Sequence, residues 1–266
     1  MQNINDLLNN LKDVPAMPNV VMQALNIMKD PDSSIKQLAK IISYDQSLST
    51  KVLTLVNSAY YGFPQQITSI SRALALLGMS KAKNIIITVA MRPMLINQGD
   101  KELWKHSIRT AVGCEYVSNY LNLMDSDEAF VIGFLHDLGK IVLNIKDPTA
   151  YAKVSELVNT GSNVIEAEQM FFATDHCQMG SLLAKKWQLP ILLNNAIKYH
   201  HNPLLSSMPQ ACALVNIIDT LVQDGYKEGS LNPEIVKSLD IEIDQPIILR
   251  ENILSKADIL LKELSN

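Results

Sequence analysis

The sequence has little glycine and proline, no long apolar run and no signal-peptide pattern, as is typical of a helical globular protein. It has only 10 glycines and 11 prolines among 266 residues, which favours helix throughout. No run of about 18 apolar residues occurs, so we predict no transmembrane helix. The polar, amphipathic N-terminus lacks the basic flank and the apolar core of a signal peptide. Together these absences argue against a secreted or membrane protein.

Cysteine is scarce and scattered, at Cys114, Cys177 and Cys212. The three residues form no CxxC pair, and each lies in a helical pattern, so we interpret them as small core residues of a protein in a reducing cytoplasm. For Cys177, which follows His176, a metal ligand is the alternative, but the core interpretation is strongly favoured.

The first hundred residues contain no histidine, no cysteine, no glutamate and no glycine-rich phosphate-binding loop. They hold more Lys and Arg than acidic residues, whereas the acidic excess follows Lys101, and the whole chain has a net charge of −4. The basic residues are spread over several helices, so nucleic acid is not an expected partner. The helix-favouring composition predicts an all-α protein, and the charge asymmetry predicts two lobes, 1–100 and 101–223.

Apolar spacing predicts the helices of the first lobe. Ser34 is the expected N-cap of the third helix, and Asp45 lies at the start of the fourth. The isoleucine-rich run before Ala90 scores as a strand on propensity, yet no second strand is available to pair with it, so we predict helix. The predicted helices of this lobe span 2–12, 19–29, 35–43, 45–57, 69–78 and 79–90.

The stretch FLHDLGK, 134–140, sets His136 beside Asp137 within an apolar segment. Burying such a pair is costly unless something coordinates or hydrogen-bonds it. On one continuous helix, predicted over 129–143, the two side chains project about 100° apart. Both then reach one metal only if it lies off the helix surface between them, or if the helix loosens locally. Lys140 lies on the face of His136 and suits a phosphate oxygen beside a metal.

All five histidines lie in the second lobe and are assigned to one site. Alone, each is more often a hydrogen-bonded core residue or a helix cap than a ligand. As a set with carboxylates they suit one or two divalent ions of Fe, Mn or Zn, which together activate water and clamp a phosphoryl group. The candidate metal ligands are His106, His136, Asp137, His176, His200, His201 and Asp219.

The C-terminal segment, 224–266, begins with a polar loop and ends with an amphipathic helix. Its apolar positions, among them Ile253 and Leu260, predict that this helix packs on the second lobe. A helix that binds a partner protein is the alternative.

Two parts of the chain resemble a known family. The stretch from Val14 to Asn84 has a Pro-flanked opening, the DPDSS turn, Asp45 before Leu48, the run Asn57-Ser58-Ala59, then Tyr61-Gly62 and Leu77-Gly78. It resembles the N-terminal half of the HDOD domain, an HD-related output domain of bacterial signalling proteins. The later segments WKHS, FLHDLGK, TDH-x-x-x-G and YHHNP resemble the core of HD-type metal-dependent phosphohydrolases, especially the HD-GYP phosphodiesterases.

The resemblance implies an HD-like helical bundle for the second lobe, with His136 and Asp137 as the name-giving pair. Lys140 matches the lysine after that pair. The resemblance also implies that one of His200 and His201 is a ligand, and that Asp219, with Asn216 as the alternative, is the closing residue. The remaining histidines, His106 and His176, match the first and a later histidine of the HD core.

One signature is missing, because LLSSMPQ follows YHHNP where the HD-GYP phosphodiesterases have the tripeptide GYP. HDOD domains are generally regarded as non-catalytic, whereas this sequence keeps nearly every candidate ligand. We therefore expect a standalone cytoplasmic, bacterial signalling module that binds a partner protein or a small nucleotide-like ligand. A metal-dependent phosphohydrolase, with Lys140 as a catalytic residue, is the alternative. The sequence does not fix the oligomeric state.

Overall fold

The computed structural model describes residues 14, 16–27, 34–99, 101–240, 243 and 245–265. Within these ranges every regular element is a helix and no strand occurs, so the predicted all-α class is confirmed. The helix predicted at 2–12 and most of the DPDSS turn lie outside the described residues.

The α-helices are numbered in chain order over the described part of the chain. They are α1 Asn19–Ile27, α2 Ile35–Ser43, α3 Gln46–Val56, α4 Ile70–Leu77, α5 Met79–Met94, α6 Lys101–Leu121, α7 Ser126–Leu135, α8 Leu138–Lys146, α9 Pro148–Asn159, α10 Val164–Phe172, α11 His176–Lys186, α12 Ile191–Tyr199, α13 Pro209–Val222, α14 Pro233–Ser238 and α15 Pro246–Ser265. A π-helical segment, Leu95–Gly99, follows α5, and a short 3₁₀ helix, Pro203–Leu205, precedes α13.

Local capping explains where several of the early helices begin. Ser34 and Gln37 form a reciprocal capping box at the start of α2. The Asp45 side chain accepts a hydrogen bond from the Leu48 amide at 2.9 Å, and Ser69 caps α4 in the same way. The isoleucine-rich run is helical as predicted, and α5 continues to Met94 rather than ending at Ala90.

The chain divides into two compact units. One contains Met94–Pro246, and the other contains Met17–Pro93 together with Ile247–Asn266. The prediction that the C-terminal helix packs on the second lobe is therefore wrong.

The burial of α15 shows why the prediction assigned it to the wrong lobe. Its apolar face is buried as expected, at Ile253, Ala257, Leu260 and Leu264. Yet Leu264 lines a cavity of about 490 Å³ together with residues of α3 and α5, among them Thr50 and Val89. An apolar stripe predicts that a helix is packed, but it does not name the helix that covers it.

The larger unit is built on the long helix α6, which packs against α7 and α13, while α11 packs against both α8 and α12. The apolar spacing of α6 predicts an inner face that includes Trp104, Ile108 and Ala111, and all three are buried. The same spacing predicts Tyr120 on this face, but its side chain is 79% exposed. The spacing of apolar residues shows on which face of the helix a side chain lies. A side chain in the last turn is buried only if another helix extends far enough to cover it.

Among the described residues, no single helix is both long and apolar enough to cross a membrane. By length and composition alone, Ile70–Leu77 and Met79–Asn97 pass as a pair, but they are bent by 120° at the break between them.

Candidate metal centre

The stretch FLHDLGK does not lie on one continuous helix. The first helix, α7, ends at Leu135 and α8 begins at Leu138, while Asp137 between them has φ −92° and ψ 13°. The single helix predicted over 129–143 is therefore wrong, and local loosening is what the chain adopts. The break turns both side chains to one centre, with His136 Nε2 3.2 Å from Asp137 Oδ2. Both residues are buried.

The first cluster consists of His106, His136, Asp137 and Asp219. His106 Nε2 lies 3.3 Å from His136 Nε2 and 3.0 Å from Asp219 Oδ1. Asp137 Oδ2 lies 3.5 Å from His106 Nε2. Nitrogen and oxygen ligands about 2.0–2.2 Å from one ion are roughly 3.0–3.5 Å apart. These separations match those of donors around a single cation, whereas the 3.9 Å between His136 Nε2 and Asp219 Oδ1 is longer.

The second cluster consists of His176, Cys177, His200 and His201, whose candidate donor atoms lie within 4.8 Å of one another. His176 Nε2 and His200 Nε2 are 3.1 Å apart. The other carboxylate oxygen of Asp137, Oδ1, lies 3.4 Å from His176 Nε2 and 3.8 Å from His200 Nε2. Asp137 therefore faces both clusters, one oxygen to each.

The buried carboxylate of Asp137 provides a test of whether a cation fits here. Its Oδ1 is buried and has no hydrogen-bond partner among the described residues. A buried charged oxygen without a partner costs free energy that a bound cation removes. The donors around it are imidazole nitrogens, carboxylates and a thiol, a set that suits Zn or Fe rather than Mg or Ca. The residues present fit a divalent metal.

The histidine rings are oriented by hydrogen bonds on the side away from the centre. The Nδ1 atoms of His136 and His200 lie 2.8 Å and 3.0 Å from the carbonyl oxygens of Gly133 and Ile197. Since carbonyls only accept, each Nδ1 carries the proton and donates it. Each Nε2 is then the nitrogen that faces the centre, and in the neutral ring it offers the lone pair that a metal ligand requires.

The model of the HDOD domain matches residues 14–203. The chain belongs to the HDOD domain family. An uncharacterized protein of Treponema pallidum (strain Nichols) is 27% identical over 228 residues, which cover 79% of this chain and 43% of that protein. The cyclic di-GMP phosphodiesterase CdgJ of Vibrio cholerae serotype O1 is 24% identical over 124 residues, 46% of this chain and 28% of that protein.

A solved HDOD domain protein of Geobacter sulfurreducens superposes with a TM-score of 0.77 at 24% identity, over 98% of this chain and 92% of that one. At this level of identity the likeness shows a shared fold. The HDOD chain described here spans less than half the length of the two relatives from Treponema and Vibrio.

Burial and neighbouring charges shift the pKa values of the groups in the centre. Burial lowers the pKa of His136, but the adjacent Asp137 outweighs it and raises that pKa above its usual value. Burial lowers the pKa of His200 well below its usual range, and the neighbouring His201 adds to the effect. A neutral imidazole is the form that binds metal.

Lys140 joins the centre from the first turn of α8. Its Nζ lies 2.6 Å from Asp137 Oδ2, and its side chain remains 20% exposed. Burial lowers the pKa of Lys140, but the ion pair with Asp137 outweighs that effect and raises it, so the ammonium stays charged. The lysine also lines a cavity of about 890 Å³ that opens beside His106, His201 and Asp219. A charged donor therefore faces both the carboxylate and the cavity.

The structure brings all seven candidate ligands predicted from sequence into this one region, and their binding of metal stays a prediction. His200 is fully buried, whereas His201 is partly exposed and lines the cavity. Of the two closing candidates, Asp219 faces the first cluster. Asn216 instead donates a 2.7 Å hydrogen bond to the backbone oxygen of His200, so it supports the ligand helix.

Sequence reasoning assigned no role to Glu168 of α10. Its fully buried carboxylate accepts hydrogen bonds from the backbone N–H of His176 at 2.8 Å and from its ring Nδ1 at 2.7 Å. Eight residues and a change of helix separate the two, so periodicity cannot pair them. The one signal in the sequence was a glutamate beside Ala167, on the apolar side of its helix.

Proposed function

We propose that this HDOD protein is a metal-dependent phosphohydrolase with two cation positions, one at each cluster. The observation that carries the proposal is the carboxylate of Asp137, whose two oxygens face two separate groups of imidazole nitrogens. Two bound divalent cations would supply Lewis acidity, activate a water molecule and neutralise charge on a phosphoryl group. Phosphate esters are the substrate class that this chemistry serves.

The residues of the chain divide the remaining work. Lys140 offers its ammonium to a phosphate oxygen in the cavity while its bond to Asp137 fixes its position. Lys105 and Arg109 line the same cavity, but both are ion-paired with Asp224, so the attraction for a phosphate oxygen is assigned to Lys140. His136, Asp137 and His176 are buried, which strengthens the electrostatic interactions that they make.

The comparisons support the reaction class and leave the substrate open. CdgJ carries the name of a cyclic di-GMP phosphodiesterase, and it aligns with 46% of this chain. The GYP tripeptide is replaced here by LLSSMPQ, residues 204–210. We therefore do not propose a cyclic dinucleotide as the substrate of this protein.

The first experiment measures metal and hydrolysis together. Protein purified without chelator is assayed for bound Fe, Mn and Zn, and then for hydrolysis of p-nitrophenyl phosphate and bis-p-nitrophenyl phosphate. We expect up to two metal equivalents and hydrolysis of at least one ester. Asp137→Asn should lose both, because it removes the charge shared by the clusters. The matched control, Asp240→Asn, changes an exposed aspartate and should leave both intact.

Lys140→Gln separates binding of metal from binding of phosphate. We expect metal content to persist and kcat/KM to fall by about tenfold or more, since one charge-assisted hydrogen bond contributes about 1.5–3 kcal/mol. Lys153→Gln, at an exposed position of α9, is the matched control and should retain full activity. Equal activity of the two variants would remove Lys140 from the proposed site.

The missing GYP tripeptide favours a second candidate, a non-catalytic signalling module that binds a nucleotide-like ligand or a partner protein. In that case the metal centre shapes a binding surface without turnover. Stoichiometric metal without hydrolysis of either ester, together with calorimetric binding of a nucleotide, would select this candidate over the phosphohydrolase.

A further inference from the structure

Cys177 lies beside the two buried imidazoles of the second cluster. Its Sγ is 3.6 Å from His176 Nε2 and 4.0 Å from His200 Nε2. The residue is buried, in the first turn of α11 next to His176. The sulfur is also 3.9 Å from His200 Nδ1, so it lies beside His176 Nε2 and about equally far from both ring nitrogens of His200.

These separations are those of ligand atoms around one ion. With metal–sulfur and metal–nitrogen bonds of about 2.3 and 2.0–2.1 Å, a tetrahedral site places sulfur and nitrogen roughly 3.6 Å apart. The distance from Cys177 to His176 equals this value, and the distance to His200 exceeds it by a few tenths of an ångström.

A second, independent observation points to a ligand at the same place. The Oδ1 atom of Asp137 faces His176 and His200 and has no hydrogen-bond partner among the described residues. It completes a set of two imidazoles, one carboxylate oxygen and one sulfur. The other two cysteines are differently placed, since the thiol of Cys212, for example, donates to the Ser206 hydroxyl at 3.2 Å.

We propose that Cys177 is a thiolate ligand of the second cluster, so that the two metal positions differ in kind. The inference rests on the proposed metal centre. The first cluster offers nitrogen and oxygen alone, whereas the second adds a soft sulfur donor and selects a thiophilic cation such as Zn²⁺. When the cation binds, a metal–sulfur bond forms and the thiol proton passes to solvent. The interpretation of Cys177 as a core residue then gives way to a role in metal selection.

Cobalt(II) provides a direct readout of the sulfur ligand. The metal-free 266-residue chain is titrated with Co²⁺ while its absorbance spectrum is recorded. A thiolate ligand gives a near-ultraviolet charge-transfer band, whereas imidazole and carboxylate ligands give visible d–d bands alone. We expect the charge-transfer band in the natural protein, its loss in Cys177→Ser, and its retention in Cys212→Ser.

The spectra separate the failure of this inference from the failure of the proposed centre. Visible bands without a charge-transfer band in the natural protein, or a band that persists in Cys177→Ser, would overturn the sulfur ligand and leave the metal centre standing. Absence of any Co²⁺ spectrum would overturn both.

Competition titrations extend the same test to metal selection. We expect Cys177→Ser to weaken Zn²⁺ binding at one of the two equivalents by more than about tenfold. Removal of a residue that only hydrogen-bonds a metal ligand already weakens binding by about 10–100-fold, so loss of a ligand itself should cost at least as much. Mn²⁺ binding should change much less, because Mn²⁺ gains little from sulfur. A uniform loss for both metals would contradict selection by Cys177.

Discussion

Gly139 and Gly180 pack against each other where α8 crosses α11. A Cβ added at Gly180 would lie 3.0 Å from the Gly139 amide nitrogen, and one added at Gly139 would lie 2.6 Å from the Gly180 nitrogen and overlap the carbonyl oxygen of His176. This backbone approach brings FLHDLGK next to the helix that carries His176. The site therefore depends on two glycines that contribute no chemical group.

Gly139→Ala should destabilise the protein strongly. The added methyl group meets backbone rather than a flexible side chain, so α8 and α11 must separate. Overpacking of this kind costs about 1–3 kcal/mol and sometimes more. We expect the free energy of unfolding, measured by urea denaturation, to fall by about 3 kcal/mol, with loss of metal binding at the second cluster.

Gly225→Ala is the matched control for that substitution. No heavy atom would lie within 4 Å of its added Cβ. A stability within about 0.5 kcal/mol of the natural protein is expected for it. If Gly139→Ala were equally mild, the packing of α8 on α11 would not be as close as described.

Glu168→Gln tests the support behind His176. The carboxylate accepts two hydrogen bonds from this histidine, one of which fixes the ring tautomer. Loss of such an outer partner weakens metal binding by about 10–100-fold. We expect that loss at one of the two metal equivalents, because Glu168 contacts the second cluster alone. The readout is competition with a chelator of known affinity.

Glu166→Gln provides the control, since Glu166 lies on the same helix but is exposed. It should bind both equivalents with natural affinity. An equal effect of the two substitutions would mean that Glu168 acts through the net charge of α10 and not through His176.

Local signals in the sequence were sufficient for much of the fold. The side chains of Ser34, Asp45 and Ser69 each accept a hydrogen bond from a backbone amide three residues later. A segment of four residues is therefore enough to predict where each of these helices starts. The ligand types were predictable for a similar reason, because histidine and aspartate are rarely buried together without a partner.

Other features depend on contacts that no local pattern encodes. The helix breaks at His136 and Asp137, within an apolar run that has the pattern of one helix. The geometry of the whole centre depends on tertiary contacts. Glu168 reaches His176 across a change of helix. The helix α15 has a clear apolar stripe, yet the stripe fits more than one neighbour.

Asn57 explains one motif of the smaller unit, the run Asn57-Ser58-Ala59. Its side chain donates to the backbone oxygen of Ile67 at 2.8 Å and accepts from the Ile67 amide at 2.7 Å. Asn57→Ala leaves both backbone groups of the buried Ile67 without these bonds. We expect the free energy of unfolding to fall by about 2 kcal/mol, the cost of an unsatisfied buried polar group. Asn159→Ala, at an exposed position, should change stability by less than about 0.5 kcal/mol.

His201 should make the metal-free protein sensitive to acid. Burial lowers the pKa of His201 to about 4, and repulsion from His176 and Lys140 adds to the shift, while Asp219 and Asp137 oppose it. In the unfolded chain the same ring has a pKa of about 6.5. Between these two values the unfolded chain binds a proton that the folded chain does not, so the free energy of unfolding falls as the pH falls. The slope from this one group is at most about 1.4 kcal/mol per pH unit.

The variant His201→Gln isolates this contribution, because Asp137 and Asp219 titrate in both proteins. Urea denaturation of the metal-free proteins at pH 7, 6, 5 and 4 should show that the variant loses less stability than the natural protein below about pH 6.5. Above that pH the ring is neutral in both the folded and the unfolded chain, so the difference between the two proteins should be constant. A difference that stays constant down to pH 4 would mean that His201 titrates normally and is not held neutral by its surroundings.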